Sequence, residues 1–169
     1  MVQKNGLEDY YVIRNQKKLR FGYTTGSCAA GAARGAARLL FGEDEISEVE
    51  LMTPKGILLH LEILDRKRSE NAASCAVRKD AGDDPDTTNG ILVYAKVEKF
   101  LIRSDMEDRI VIDGGIGVGR VTKPGLSQKV GEAAINPVPR AMILQAVEEI
   151  ADQYHYEGGL KVTMQAFHL

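Results

Sequence analysis

The chain has 169 residues, enough for one ordinary domain with a real core. Hydrophobic residues make up 44% and charged residues 27%, which excludes a collagen-like, coiled-coil or wholly disordered chain. The formal charge is -2 and the isoelectric point about 6.0, so no overall basic field recruits nucleic acid and local cations must hold any anion.

In chain order, residues 1–20 read as a loosely docked lead-in, with Lys4, Arg14, Lys17, Lys18 and Arg20 against Glu8 and Asp9 and a short strand at 10–13. A helix is expected over 28–41, capped by the Ser27 hydroxyl and stopped at Gly42. Strands at 46–52 and 56–64 join through Thr53-Pro54-Lys55-Gly56 as a hairpin. Arg66-Lys67-Arg68-Ser69 reads as a solvated loop. Strands at 72–77 and 91–100 flank the polar segment 78–90, and a short strand at 109–113 runs into Gly114-Gly115. A glycine-rich, non-helical stretch continues to Gly131. The last helix is expected over 139–154, with Ile143, Val147 and Ile150 as its buried stripe beside Met142 and Ala146. One more strand follows at 160–167. These elements predict an α+β fold, a mixed sheet of five to six strands with two main helices packed on it.

Glycine is the one skewed count, 17 residues with no tryptophan, and its clustering suggests close backbone approach at several loops. Cys28 and Cys75 stand too far apart for a zinc ribbon, and they make no disulfide framework. The N-terminus lacks the apolar core of a signal peptide, and the longest small apolar run stops at Arg34, too short for a membrane. We therefore expect a cytoplasmic protein without membrane or nucleic-acid partners.

Four segments carry chemistry. Gly22-Tyr23-Thr24-Thr25-Gly26-Ser27-Cys28 opens a helix with free N–H groups and hydroxyls, which reads either as a capped core helix or as an anion site built on one. Gly31 and Gly35 share a stripe with Ser27. Each interior glycine costs about 1 kcal/mol relative to alanine, so close packing of the helix is expected to offset it. The second segment holds Lys79, Asp80, Asp83, Asp84 and Asn89. It lacks calcium-loop spacing and reads as a solvated turn or a polar ligand site in which one carboxylate is a general base. In the third, Asp113 precedes Gly115, Gly117 and Gly119, but Arg120 breaks the dinucleotide fingerprint and no helix follows. That leaves a glycine-rich ligand wall or a nucleoside contact, with Lys123 as a cation. The fourth, around Asn136-Pro137-Val138-Pro139-Arg140, is a rigid helix entry in which Asn136 can cap and Arg140 can reach an anion. His60, His155 and His168 have no partner at a recognisable spacing.

Together these segments resemble a known family. Gly22-Tyr23-Thr24-Thr25-Gly26-Ser27-Cys28-Ala29-Ala30 resembles the opening motif of the CbiD family, the cobalt-precorrin-5B C1-methyltransferases of cobalamin biosynthesis. Residues 77–90 are similar to its second motif, 114–126 to its third, and Gly131-Glu132 with 134–143 to its fourth; the likeness runs in order from about Phe21 to Thr163. The resemblance implies transfer of a methyl group from S-adenosylmethionine to ring carbon C1 of a cobalt-bearing polycarboxylate tetrapyrrole, with no protein-bound metal and cobalt only in the substrate. It implies that residues 21–169 form the N-terminal domain of such an enzyme, the family's second domain being absent from this chain. Ala133 departs from a frequent proline. On this basis Thr24, Thr25, Ser27, Lys79, Asp84, Asn89, Lys123 and Arg140 are expected to bind substrate. Asp80 and Asp83 would serve catalysis, and Gly115, Gly117 and Gly119 the cofactor. A corrinoid-binding domain without methyl transfer of its own, a small nucleotide or phosphate site, and self-association are the other outcomes the residues leave open.

Overall fold

A run of β-branched and small apolar residues at every second position makes a strand with one buried face, and three such runs form the centre of this molecule. The computed structural model describes residues 5–14, 17–20, 24–80, 82, 90–105, 108–115, 118 and 135–167. Its strands are β1 (Tyr11–Arg14), β2 (Lys17–Arg20), β3 (Glu48–Met52), β4 (Leu58–Glu62), β5 (Leu64–Arg68), β6 (Ala72–Arg78), β7 (Leu92–Phe100), β8 (Ile110–Gly114) and β9 (Gly159–Phe167). The helices are α1 (Thr25–Leu40) and α2 (Pro137–Gln153).

Five strands make one mixed sheet in the order β5-β6-β7-β9-β8. All neighbours are antiparallel except β8 and β9, which run parallel and are linked through α2, as parallel pairing requires a crossover. The α+β expectation of a mixed sheet carrying two helices holds. Ala73, Cys75 and Val77 of β6, Val93, Ala95 and Val97 of β7, and Leu160, Val162 and Met164 of β9 give the sheet its buried face.

Helix α1 lies on that face, and its composition follows from being covered on more than one side. Twelve of its residues are buried, eight of them alanine or glycine. The Gly35 Cα faces the sheet: a Cβ there would stand 2.9 Å from Cys75 Sγ and 3.0 Å from Ile63 Cγ2. At Gly31 the added atom would meet Leu61 Cδ1 of β4 at 2.5 Å. The expected close packing of the glycine stripe is thus present, against β6 on one side and the β3–β4 hairpin on the other. Helix α2 packs alongside α1 in the same direction. Gly26 meets Pro139 near the starts, and Arg34 reaches Ala146 O and Glu149 farther along. Its buried residues are Ile143, Ala146, Val147, Ile150 and Ala151, the expected stripe with Met142 half-buried at its edge.

Several local expectations are corrected. Helix α1 begins a turn earlier than its apolar run, so Thr24 is the N-cap: its Oγ1 accepts from Ser27 N–H at 3.1 Å. Ser27 lies inside the helix. The stop is as expected, Gly42 taking a φ of +110° that favours glycine. Arg66, Lys67 and Arg68 are no loop but part of β5, exposed at the sheet edge. Asn136 holds the cap position of α2, with a ψ of 158°, but its side chain makes no capping bond. The lead-in contains the β1–β2 hairpin, and before it Leu7 is buried while Asn5 O accepts His60 N–H.

Candidate functional site

Because β6, β8 and β9 run the same way, their C-terminal ends share one edge of the molecule. Arg78 pairs with Leu92, Leu92 with Phe167, and Gly114 with Met164. The starts of α1 and α2 come to the same edge, where Gly26 lies 3.1 Å in Cβ reach from Pro139. The described parts of all four motifs therefore converge, although more than a hundred positions separate the first from the last.

Each expected residue that the structure describes has a definite place. Thr24 is exposed, and its hydroxyl is used by the cap, donating to Ser27 Oγ at 3.1 Å. Ser27 is only 3% exposed and so braces the cap rather than facing solvent. Thr25 is exposed at the first helical position. Lys79, 8% exposed, follows β6 directly; its backbone N–H donates to Ile91 O and its O accepts from Gly90 N–H. That pair holds the mouth of the second motif closed. Asp80 is half-buried, with Oδ1 accepting from Gly82 N–H at 2.8 Å. Arg140 is half-buried in the first turn of α2. Gly115 follows β8, donates to Met164 O at 2.7 Å and stands against the side chain of Gln165. Asp83, Asp84, Asn89, Gly117, Gly119 and Lys123 lie outside the described residues.

The electrostatics tie the second motif to the first. Burial pushes the Cys28 thiol up to about 12; the Lys79 ammonium works against that rise and the Asp80 carboxylate adds to it. Both charges therefore act on the first turn of α1. Cys75 rises to about 12 through burial, opposed only by Arg66.

Between these ends lies a cleft of about 300 Å³. Thr25, Gly26 and Ala29 line it from α1, and Ile135, Asn136, Pro139 and Ile143 from the entry and first turns of α2. Val93 of β7, Met164, Gln165 and Ala166 of β9, and Val118 complete it. The charged candidates Lys79, Asp80 and Arg140 are not part of the lining. A wider hollow of about 530 Å³ between the β3–β4 hairpin and the outer side of α2 touches Pro137 and Val138 but none of the other three motifs. Sequence reasoning missed Gln165 and the apolar wall, because a lone glutamine near a strand end looks like a solvated face. Among the described residues no cluster of His, Cys, Asp and Glu is arranged to hold a metal ion, and no helix is long and apolar enough to cross a membrane.

A fold of two parallel helices on a mixed sheet, with glycine-rich motifs at one edge, is shared with known proteins. The CbiD family model matches residues 12–167, and the chain belongs to the CbiD family. It is 51% identical over 156 residues to a cobalt-precorrin-5B C(1)-methyltransferase of Ruminiclostridium cellulolyticum, covering 92% of this chain and 39% of the relative. A protein of the same name from Citrifermentans bemidjiense is 54% identical, with 79% of this chain and 37% of the relative covered. The crystal structure of a cobalamin biosynthesis protein (cbiD) from Archaeoglobus fulgidus superimposes with a TM-score of 0.63 at 28% identity, over 91% of this chain and 46% of that one. The chain thus spans less than half the length of these relatives.

Proposed function

We propose that this chain serves S-adenosylmethionine-dependent methyl transfer to ring carbon C1 of cobalt-precorrin-5B, in the cytoplasm, as one domain of the enzyme over residues 21–169. The observation that carries the reading is the convergence of the described parts of the four family motifs on one sheet edge, in a chain whose relatives bear that enzyme's name. When bound, the methyl donor supplies an electrophilic carbon on a sulfonium, displaced in line by the substrate carbon. The protein needs no nucleophile of its own for this; its task is alignment, which contributes several powers of ten in rate.

The residues suit that task. Thr25 and the first N–H groups of α1, with the cations Lys79 and Arg140, offer donors for the acetate and propionate carboxylates of a tetrapyrrole. Lys123 is assigned the same role, and Asp84 and Asn89 polar contacts to the macrocycle. Asp80, fixed by its bond to Gly82 N–H, and Asp83 would balance charge and take the proton at the reacting ring. The cleft between the helix starts, uncharged among the described residues, fits part of a methyl donor. A second reading, in which this chain binds the corrinoid but transfer requires the rest of the family's length, is favoured by the 39% share of the relative that it spans.

Calorimetric titration with cobyrinic acid, a carboxylated corrinoid, tests the substrate half. We expect binding by the wild-type chain and a loss of at least about a hundredfold when Thr25, Lys79 and Lys123 are replaced by alanine together, since each charged contact contributes on the order of tenfold or more. Unchanged affinity in a triple variant that melts normally would sink the assignment.

A further inference from the structure

We propose that the β1–β2 ribbon is a carboxylate-binding arm, whose face with Tyr11, Ile13, Lys18 and Arg20 takes the rim of the polycarboxylate tetrapyrrole. The inference rests on the substrate half of the methyl-transfer reading. To it the ribbon adds four cations, Arg14, Lys17, Lys18 and Arg20, that none of the four motifs contains.

Charge is sorted along the chain. Between Asp9 and Glu43 the sequence holds no acidic residue, although the whole chain carries -2. Six cations fall in that interval. The two in α1 are matched, Arg34 by Glu149 and Arg38 by Glu43. The other four lie in two short strands, where the register sets Arg14 directly opposite Lys17. Like charges at opposite positions weaken a sheet, and a two-stranded hairpin is marginal to begin with. An anion bound across the ribbon offsets that repulsion. The positive character continues into α1, whose first turn has no acidic residue to oppose the positive end of the helix.

Both roots of the ribbon lie near the edge where the motifs meet. β2 ends at Arg20, four residues before the Thr24 cap, a span of at most about 14 Å. Ahead of β1, Gly6 lies against Leu58 O, and Asn5 O accepts from His60 N–H at 2.9 Å. Leu58 in turn borders the same hollow as Pro137 and Val138 at the start of α2. The CbiD family match begins at residue 12, so the ribbon falls inside the matched part of the chain.

The face suits both characters of the ligand. Cross-strand partners share a face, so Tyr11 and Ile13 of β1 lie with Arg20 and Lys18 of β2. Ile13 is 70% exposed, so the face is open there. A corrinoid has an apolar ring system and an anionic rim, which an aromatic, a branched aliphatic and two cations match. The methyl donor, net positive through its sulfonium and ammonium, is repelled by the same face.

The test is calorimetry on the full chain with cobyrinic acid, its fully esterified form and a short DNA duplex as separate probes. Replacing Arg14, Lys17, Lys18 and Arg20 together by glutamine should weaken cobyrinic acid about tenfold at low ionic strength, since exposed ion pairs each contribute little. The gap should close at about 1 M salt, where exposed charges are screened. The ester should bind both chains to the same extent. The pair Lys18→Gln and Arg20→Gln should show a severalfold part of the loss, and it decides the matter if the larger variant fails to fold. Exchanging each Arg for Lys and each Lys for Arg keeps the charge and should bind like the wild type. Unchanged cobyrinic acid affinity in the glutamine variants, with the loss at Thr25, Lys79 and Lys123 intact, would overturn the arm and leave methyl transfer standing. Equal losses for acid and ester would overturn it in favour of a structural role. Lost duplex binding with cobyrinic acid unchanged would overturn it in favour of a nucleic-acid contact. A wild-type chain that does not bind cobyrinic acid would remove the arm and the reading beneath it.

Discussion

Gly35 shows how a single missing side chain can set the spacing of a core. Its Cα lies so near Cys75 and Ile63 that an added methyl has no room, and both neighbours are buried. Gly35→Ala gains about 1 kcal/mol of helix propensity but overpacks the core at a cost of about 1–3 kcal/mol. We expect net destabilisation, read as a lower urea midpoint with an unchanged slope; a more stable variant would show that the sheet yields easily. The sequence carried this feature openly, since two glycines four residues apart in a helix demand a reason. It did not carry the choice of cap. Thr24, Thr25 and Ser27 all bear hydroxyls, and only the backbone geometry, extended at Thr24 with a ψ of 161°, decides which oxygen faces the free N–H groups.

The two helices are tied at their far ends as well as at the site. Glu43, just past α1, accepts from Arg38 at 2.9 Å and from the hydroxyl of Tyr154 at the end of α2. The Phe41 and Tyr154 rings stack with centroids 5.3 Å apart. Hydrogen bonding from Arg38, and then from Tyr154, holds the Glu43 carboxyl below its ordinary 4.5. A carboxyl depressed in the folded state stabilises the protein fully above its unfolded value, and that contribution is lost as pH falls through the folded value. Glu43→Gln should therefore melt at a temperature that depends less on pH below about 4.5 than the wild type does. Parallel melting curves across that window would show that the cluster contributes nothing. At this scale the sequence misled most at β5. Arg66-Lys67-Arg68 looks like a loop because charge is read as solvation, whereas an edge strand carries charge on its open side to discourage pairing with another chain. The apolar runs of β6, β7 and β9 were plain because alternation on a one-sided sheet leaves a clear period.

At the scale of the molecule, β9 matters most. It lies between β7 and β8, pairing antiparallel with one and parallel with the other, and its inward residues Leu160 and Val162 are fully buried. Val162→Asp would place an unpaired carboxylate in that centre, a change in the class that costs more than about 4 kcal/mol, and we expect no cooperative thermal transition. Lys161→Asp, one residue away on the exposed face, should melt much like the wild type. Similar behaviour of the two would mean that β9 does not organise the sheet. The strand order β5-β6-β7-β9-β8 could not be read in advance, because nothing local to 110–114 and 159–167 says that these segments pair across a whole helix. The candidate site was legible as motifs and not as a cleft for the same reason: its apolar wall comes from strand ends that are ordinary core by sequence. The position of β9 also bears on synthesis. Emerging from the ribosome, β7 and β8 each expose a bare hydrogen-bonding edge until nearly all of this segment has been translated. During that interval the nascent chain is at its most vulnerable to mispairing, so its yield in a cell should respond to chaperones that shield strand edges.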